Sequence, residues 1–459
     1  MLPRRGDPRR VTAPVPPLWS VAPFFAYLLA IATLPFFAEH FWEDNRRKLA
    51  VAAAASLPVL LYLLALEPEY GPRWLLHSAR EYAAFIALLG ALFTISGGVH
   101  LRGSLAGTPL VNTAVLAIGA GLASLVGTTG ASMLLIRPLL RANAARERRV
   151  HLVVFFIFVV SNTGGLLTPL GDPPLFLGFL RGVPFLWTLR LFPHWLLVNG
   201  LLLALFHVLD HMVRKREERE RPGSQLEALQ RVAGPLRIEG GLNFLWLLGV
   251  LAAIFALGAW GHSQPRPDEN ARAALEVLAL LALAGLSLAS TPRAVREANH
   301  FGWAPIAEVA AIFSGIFVTM IPALRLLEVR GAELGVHAPW HFFWASGLLS
   351  SFLDNAPTYL TFASLAVVMV NEAHPGAGLD AGALGGLLAF PDGVAALTAI
   401  SCGSVLMGAN SYIGNGPNFI VKAIAESAGV RMPGFLGYLA WSGAILLPVF
   451  ALVTWVFFR

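Results

Sequence analysis

Four short segments place polar side chains beside glycine or proline inside otherwise apolar sequence, and they hold the chemistry this chain can offer. The densest reads Ser161-Asn162-Thr163-Gly164-Gly165 and continues through Thr168-Pro169-Leu170-Gly171-Asp172-Pro173-Pro174. Glycine loosens a helix through backbone freedom, and proline breaks it by removing an N–H and adding a clash. At mid-membrane such a break frees carbonyls and amides that have no water to satisfy them. Asn162, Thr163 and Thr168 add neutral oxygens there, and Asp172 adds a charge. Carbonyl ends of a half-helix suit a sodium ion, whereas amide ends suit an anion. A proline-kinked packing helix is the plainer reading, but a kink alone requires neither the asparagine nor the aspartate.

The second segment, Asn410-Ser411-Tyr412-Ile413-Gly414-Asn415-Gly416-Pro417-Asn418, has the same layout with Asn415 in place of Asp172. A third, Phe352-Leu353-Asp354-Asn355-Ala356-Pro357-Thr358, sets an acid in an uncharged stretch. An intramembrane aspartate is a functional-site hypothesis by default, although Asp354 could instead cap a half-helix. The fourth, Gly127-Thr128-Thr129-Gly130-Ala131-Ser132, offers hydroxyls and no charge. The candidate ion- or substrate-binding residues are therefore Asn162, Thr163, Thr168, Asp172, Asp354, Asn355, Thr358, Asn410, Ser411, Asn415, Thr128 and Thr129. Asp172, Asp354 and Glu308 are the candidate proton carriers. Glu308 could equally pair with a basic side chain near the membrane interface. Glu81, beside Arg80, reads as a surface ion pair, and His100 as an interfacial histidine with its hydrogen bonds made.

These segments sit in a chain that is 56% hydrophobic and 13% charged, about half the charged fraction usual for a soluble domain. Its mean hydropathy is +0.66. Apolar blocks of bilayer-spanning length, such as Leu18 to Phe37 and Phe435 to Phe458, predict transmembrane helices. Alternating strands of the outer-membrane kind are absent. The first block is too long for a signal-peptide core and is expected to be a retained helix. The single cysteine, Cys402, excludes an internal disulfide. The net charge of +6 resides in loops, where it reports topology and not nucleic-acid binding. No Gly-rich loop ends in Lys-Ser or Lys-Thr, so the energy source is expected to be an ion gradient, with sodium, protons or both as coupling ions and no bound cofactor or resident metal.

The chain also repeats. Glu81 and Ser124 align with Glu308 and Ser351 at an offset of 227. From Gly165 to Phe176 the match is to Gly408 through Phe419, at an offset of 243. The extra residues fall around Asn371 to Asp392. The loop carrying Arg141, Arg146, Arg148 and Arg149 is basic and thus cytoplasmic, while its counterpart, Asn371 to Asp392, has no Lys or Arg. Equivalent loops on opposite sides make the repeat inverted. The expected fold is an all-α polytopic membrane protein with two inverted repeats, each with a re-entrant hairpin and a discontinuous transmembrane helix. The hairpins fall at about 109–140 and 339–370, and the broken helices at about 150–180 and 394–426. The expected layout is a tail at 1–17, a first repeat at 18–210, a charged cytoplasmic linker at 211–240 and a second repeat at 241–459. This path puts the N-terminus outside, against the pull of Arg4, Arg5, Arg9 and Arg10.

Ser161-Asn162-Thr163-Gly164-Gly165 with Leu170-Gly171-Asp172-Pro173-Pro174, and Leu353-Asp354-Asn355-Ala356-Pro357-Thr358, resemble the ion transporter superfamily. That group includes NhaD-type sodium/proton antiporters, citrate-transporter-like proteins, arsenite permeases and the melanosomal P protein. The resemblance covers the chain from about Leu49 onward. It implies inverted repeats, often a homodimer, and a transport site lined by Asn162, Asp172, Asp354 and Asn355. Members often carry acid-Asn pairs at both hairpin tips; here the first tip is Gly127-Thr128-Thr129-Gly130. Pro173-Pro174 is closer to the P-protein and citrate-like branches. The leading expectation is a sodium/proton antiporter in the inner membrane of a bacterium, surrounded by lipid. The alternative is a sodium- or proton-coupled transporter of citrate or another anion. A distant alternative, an intramembrane aspartyl protease, conflicts with Pro169-Leu170-Gly171-Asp172 in place of the Gly-x-Gly-Asp such enzymes share; a passive channel leaves two matched helix breaks without a role.

Overall fold

The computed structural model describes residues 15–42, 44–102, 106–220, 237–261, 269–299, 301–330, 335–352, 355–380 and 382–459. Asp354 lies outside them, as do most of the expected tail and residues 221–236 of the expected linker.

The first half contains α1 (Ala22–Phe37), α2 (Glu39–Trp42), α3 (Asn45–Leu61), α4 (Gly71–Ser96), α5 (Pro109–Val126), α6 (Thr128–Ala142), α7 (Val150–Val159), α8 (Pro173–Leu180) and α9 (Phe192–Glu220). The second contains α10 (Asn243–Gly261), α11 (Glu269–Ser290), α12 (Arg293–Ala298), α13 (Ala304–Arg330), α14 (Pro339–Ser350), α15 (Asn355–Ala373), α16 (Pro391–Leu406), α17 (Gly416–Ser427) and α18 (Phe435–Phe457). Among the described residues, 9 helices are long and apolar enough to cross a bilayer. The protein is an all-α polytopic membrane protein. One antiparallel ribbon, β1 (His100–Arg102) against β2 (Arg237–Glu239), is a small addition the sequence did not signal. Helix α9 also runs ten residues past the expected repeat boundary at 210.

Local sequence explains where the elements start and stop. The Asp44 carboxylate caps α3 by accepting from Arg46 N at 2.9 Å. Thr108 caps α5, with Pro109 at its first position. Gly127, at φ +82°, lets the chain turn from α5 into α6 without an intervening loop. Helix α7 is apolar all round, and every side chain from His151 to Val159 is buried. In the window Val150–Leu167, 89% of residues are buried, against 22% in Asn270–Ser290. The first therefore lies at the centre of the protein and the second at its lipid-facing rim.

Hydroxyl groups tie the outer helices to α13. Tyr27 Oη donates to Ile312 O at 2.9 Å, Ser78 Oγ to Phe317 O at 2.5 Å and Tyr82 Oη to Ala310 O at 2.9 Å. At one end of the molecule, a buried charged network fixes the loop after α6. Arg146 donates to Asp210 at 2.5 Å and to Glu217 at 3.0 Å; His151 Nε2 is 2.9 Å from Asp210, and Asn112 donates to Asp210 at 2.8 Å. Asn143 and Asn112 pair reciprocally at 2.8 and 3.0 Å. The start of α5, the end of α6 and the start of α7 thus share this basic end. Arg149 reaches Ala428 O and Gly429 O, just past α17, at 3.5 and 3.4 Å.

Glu81 requires a correction. It sits ten residues inside α4, is 8% exposed, and pairs with Arg181, just past α8, at 2.9 and 3.1 Å. A buried pair joining two elements replaces the expected surface pair. His100 is buried, with Nδ1 3.0 Å from Asn299 Oδ1.

Candidate functional site

Both helix breaks are built by the same hydrogen bonds. After α7 the chain passes through a 3-10 turn, Thr163–Leu167, before α8; after α16 it passes through Met407–Asn410 before α17. Ser124 Oγ donates to Gly164 O at 2.6 Å, and its counterpart Ser351 Oγ to Met407 O at 3.2 Å. Thr168 Oγ1 donates to Ser124 O, and Ser411 Oγ to Ser351 O. Leu170 N donates to Thr168 Oγ1, and Ile413 N to Ser411 Oγ, each at 3.2 Å. Every atom of one set lies at the sequence offset that maps it onto the other. These side chains take over backbone groups freed by the breaks, as a low-dielectric interior requires.

Asp172 is 1% exposed and is held from three sides. Thr128 Oγ1 donates to its Oδ1 at 3.1 Å, Asn415 Nδ2 to the same oxygen at 3.1 Å, and Asn355 Nδ2 to Oδ2. Thr128 and Asn355 are the first described residues of α6 and α15; Asp172 and Asn415 immediately precede α8 and α17. Four helix N-termini therefore converge on one carboxylate, and their dipoles favour negative charge there.

Around this centre Asn162 Nδ2 donates to Asn418 Oδ1 at 2.7 Å, and Asn415 Nδ2 also reaches Ser161 O at 3.2 Å, so the two breaks are cross-linked. Asn418 Nδ2 in turn holds Gly408 O and Ser411 O, each at 2.9 Å. Asn410 Nδ2 donates to Ser351 Oγ at 2.9 Å. The amide oxygens of Asn162, Asn355 and Asn410 are buried and accept no hydrogen bond from the described residues. Neutral oxygens without donors, near a carboxylate, are suited to a hard cation.

A cavity of about 80 Å³ reaches Asp172, Thr128, Thr129 and Asn415. Its other walls are mostly apolar, with Phe85, Leu88, Phe176 and Phe313 prominent. Among the described residues that line it, Asp172 carries the only charge. The cavity follows α4 from Phe85 to Phe93 and α13 from Phe313 back to Pro305, with Thr128 to Gly130 and Asn415 to Pro417 on its other walls.

A family described as "Putative citrate transport" matches residues 13–458. The chain belongs to this family. No curated protein matches the chain. Membership fits the resemblance to the ion transporter superfamily seen in the motifs, and makes the chain an integral membrane protein of a transporter family.

The expected site residues divide into three groups within this family member. Thr128, Asp172, Asn355 and Asn415 meet directly, with Thr129 on the cavity wall. Asn162, Thr168, Asn410 and Ser411 hold the breaks; Thr358 is buried one turn beyond Asn355. Thr163 turns away, donating to Asn199 Oδ1 on α9 at 2.7 Å, and Glu308 pairs with Lys48 at 2.7 Å. The other expected carboxylate, Asp354, falls outside the described residues. Sequence reasoning passed over Ser124, Ser351 and Asn418 as site builders, although the repeat alignment already paired the two serines.

Proposed function

We propose that the chain is an ion-gradient-driven secondary transporter of the bacterial inner membrane, exchanging sodium for protons by alternating access at Asp172. The observation that carries this reading is the buried Asp172 carboxylate, held by side chains from both halves and reached by a cavity whose described lining has no basic residue. One carboxylate binds a proton or a sodium ion and not both, which is the minimum needed for exchange. The orphaned amide oxygens of Asn162, Asn355 and Asn410 are available as neutral ligands, and Asp354, next to Asn355 in sequence, would supply a second acid.

The reading includes an inverted repeat with two re-entrant hairpins, α5–α6 and α14–α15. It is supported by the recurring order of elements, by the matched hydrogen bonds at the two breaks, and by opposite courses of the half-helices. Helix α17 ends at the basic end beside Arg149, whereas α8 ends beside Glu81, away from it. The basic end would face the cytoplasm.

Family membership favours a second reading, cation-coupled movement of citrate or another carboxylate. There the helix N-termini would hold the anion, with sodium beside Asp172. A trianion next to that carboxylate, without a basic partner, is the less favourable arrangement. Purified protein in liposomes containing a pH dye separates the two. Sodium alone should trigger proton flux under antiport; sodium uptake that appears only when citrate is added would transfer the protein to carboxylate import.

A further inference from the structure

A second cavity, of about 50 Å³, lies on the far side of the Asp172 site from the basic end. It is lined by Trp74, His77 and Glu81 of α4, by Leu324 and Arg325 of α13, and by Arg181. Both cavities thus lie along the same antiparallel pair, α4 and α13, and against the same short helix: the site cavity touches Pro173 and Phe176 at the start of α8, and the second touches Arg181 at its end.

Two layers separate them. The first is aromatic: Phe85 lies 4.7 Å from Phe313 and 5.8 Å from Phe317 between ring centroids, and Tyr82 lies 5.7 Å from Phe317. The second is the two-point ion pair from Arg181 to Glu81, with His77 Nε2 3.5 Å from the same carboxylate. The aromatic layer is shared between α4 and α13, which the tyrosine and serine hydroxyls already lock together. The ion pair instead joins α4 to the tail of the broken helix that carries Asp172.

We propose that Glu81 and Arg181 are a latch that holds the end of α8 against α4, closing the Asp172 site on the side away from the basic end, and that the latch opens once in each transport cycle. This rests on the alternating-access reading above. The latch is one-sided. Glu308, the repeat mate of Glu81, is taken by Lys48 of α3, and the position equivalent to Arg181 is Ile424 on α17. Among the described residues no equivalent ion pair ties α17 to α13, so the pair stabilises one of the two access states and not the other. Arg181 and Glu81 are positioning residues: neither lines the cavity at Asp172.

The test reads access without needing any substrate. A reporter Thr129→Cys in a Cys402→Ala background, reconstituted in liposomes, is labelled with an impermeant maleimide from each face. With the latch intact, labelling from the face bearing Arg141 to Arg149 dominates. In E81Q/R181Q, which keeps size and polarity but removes both charges, the ratio between faces should fall by about tenfold, because the two-point pair is made in the latched state alone and its loss shifts the balance between the states. The swap E81R/R181E should return the ratio toward its starting value. Arg181→Lys keeps the charge and loses the two-point contact, so it should shift the ratio the same way by about two- to threefold, and it serves if the double variant does not fold. An unchanged ratio in folded E81Q/R181Q, or in Arg181→Lys where that variant stands in, would overturn the proposal. Absent sodium/proton exchange in the unmodified protein would overturn the antiport reading instead, and leaves the labelling ratio intact as the judge of the latch.

Discussion

The break between α7 and α8 and the break between α16 and α17 share a skeleton and differ in charge. Ser124 with Thr168, and Ser351 with Ser411, bind the same freed backbone atoms in the same pattern. Gly171 approaches Gly165, and Gly414 approaches Gly408, so closely that any Cβ would strike backbone. Against that constancy stands one difference in charge: Asp172 on one side, Asn415 on the other, 3.1 Å apart and hydrogen-bonded. The skeleton makes two half-helices end at one point, and the unequal pair decides what that point can bind. Two aspartates there would repel across a dry site; one aspartate with one asparagine gives a single charge with a donor beside it.

The comparison breaks most completely at the charge. Asp172→Asn should lower ion-coupled flux by at least about a hundredfold while the protein still elutes as a single folded species, since an asparagine already fills the equivalent place at Asn415. Adding Asn415→Asp to that variant moves the acid to the matching position of the other break. Partial recovery would make the two positions interchangeable, whereas continued silence would make the orientation of α8 part of the mechanism. Next in size are the glycines. Gly171→Ala and Gly414→Ala should each reduce folded yield severely and to a similar degree, because the colliding atoms are backbone.

Smaller effects sharpen the contrast. Thr128→Val removes one donor to Asp172 and should reduce flux by about tenfold, consistent with ~1–3 kcal/mol for a buried partner lost. Ser124→Ala and Ser351→Ala should each cost ~1–3 kcal/mol of stability, measured as a shift in thermal unfolding in detergent, with matching values for the two. A large difference between them would mean that the skeleton is symmetric in geometry alone.

Much of this was legible in the sequence. Glycine, proline and the Ser-Asn-Thr run marked the breaks, and the residue offsets of 227 and 243 aligned one half on the other before any coordinates. Helix boundaries followed closely because caps and prolines act locally. What stayed hidden depends on distant packing. Glu81 had Arg80 beside it, a sufficient local explanation, and its true partner lies a hundred residues away. The network of Arg146, His151, Asp210 and Glu217 was hidden the same way, since Asp210 fell at the expected edge of a solvated linker and is fully buried. Thr163 shared a motif with Asn162, yet neighbouring positions in a tight turn face different helices, and it turned to Asn199.

The most direct test of the central claim counts protons. Sodium is titrated into lightly buffered, purified protein, and the pH change is recorded for the unmodified chain and for Asp172→Asn. If Asp172 is the group over which the two ions compete, sodium should release protons from the unmodified protein and none from the variant. Equal release from both would remove Asp172 from the exchange and contradict the account.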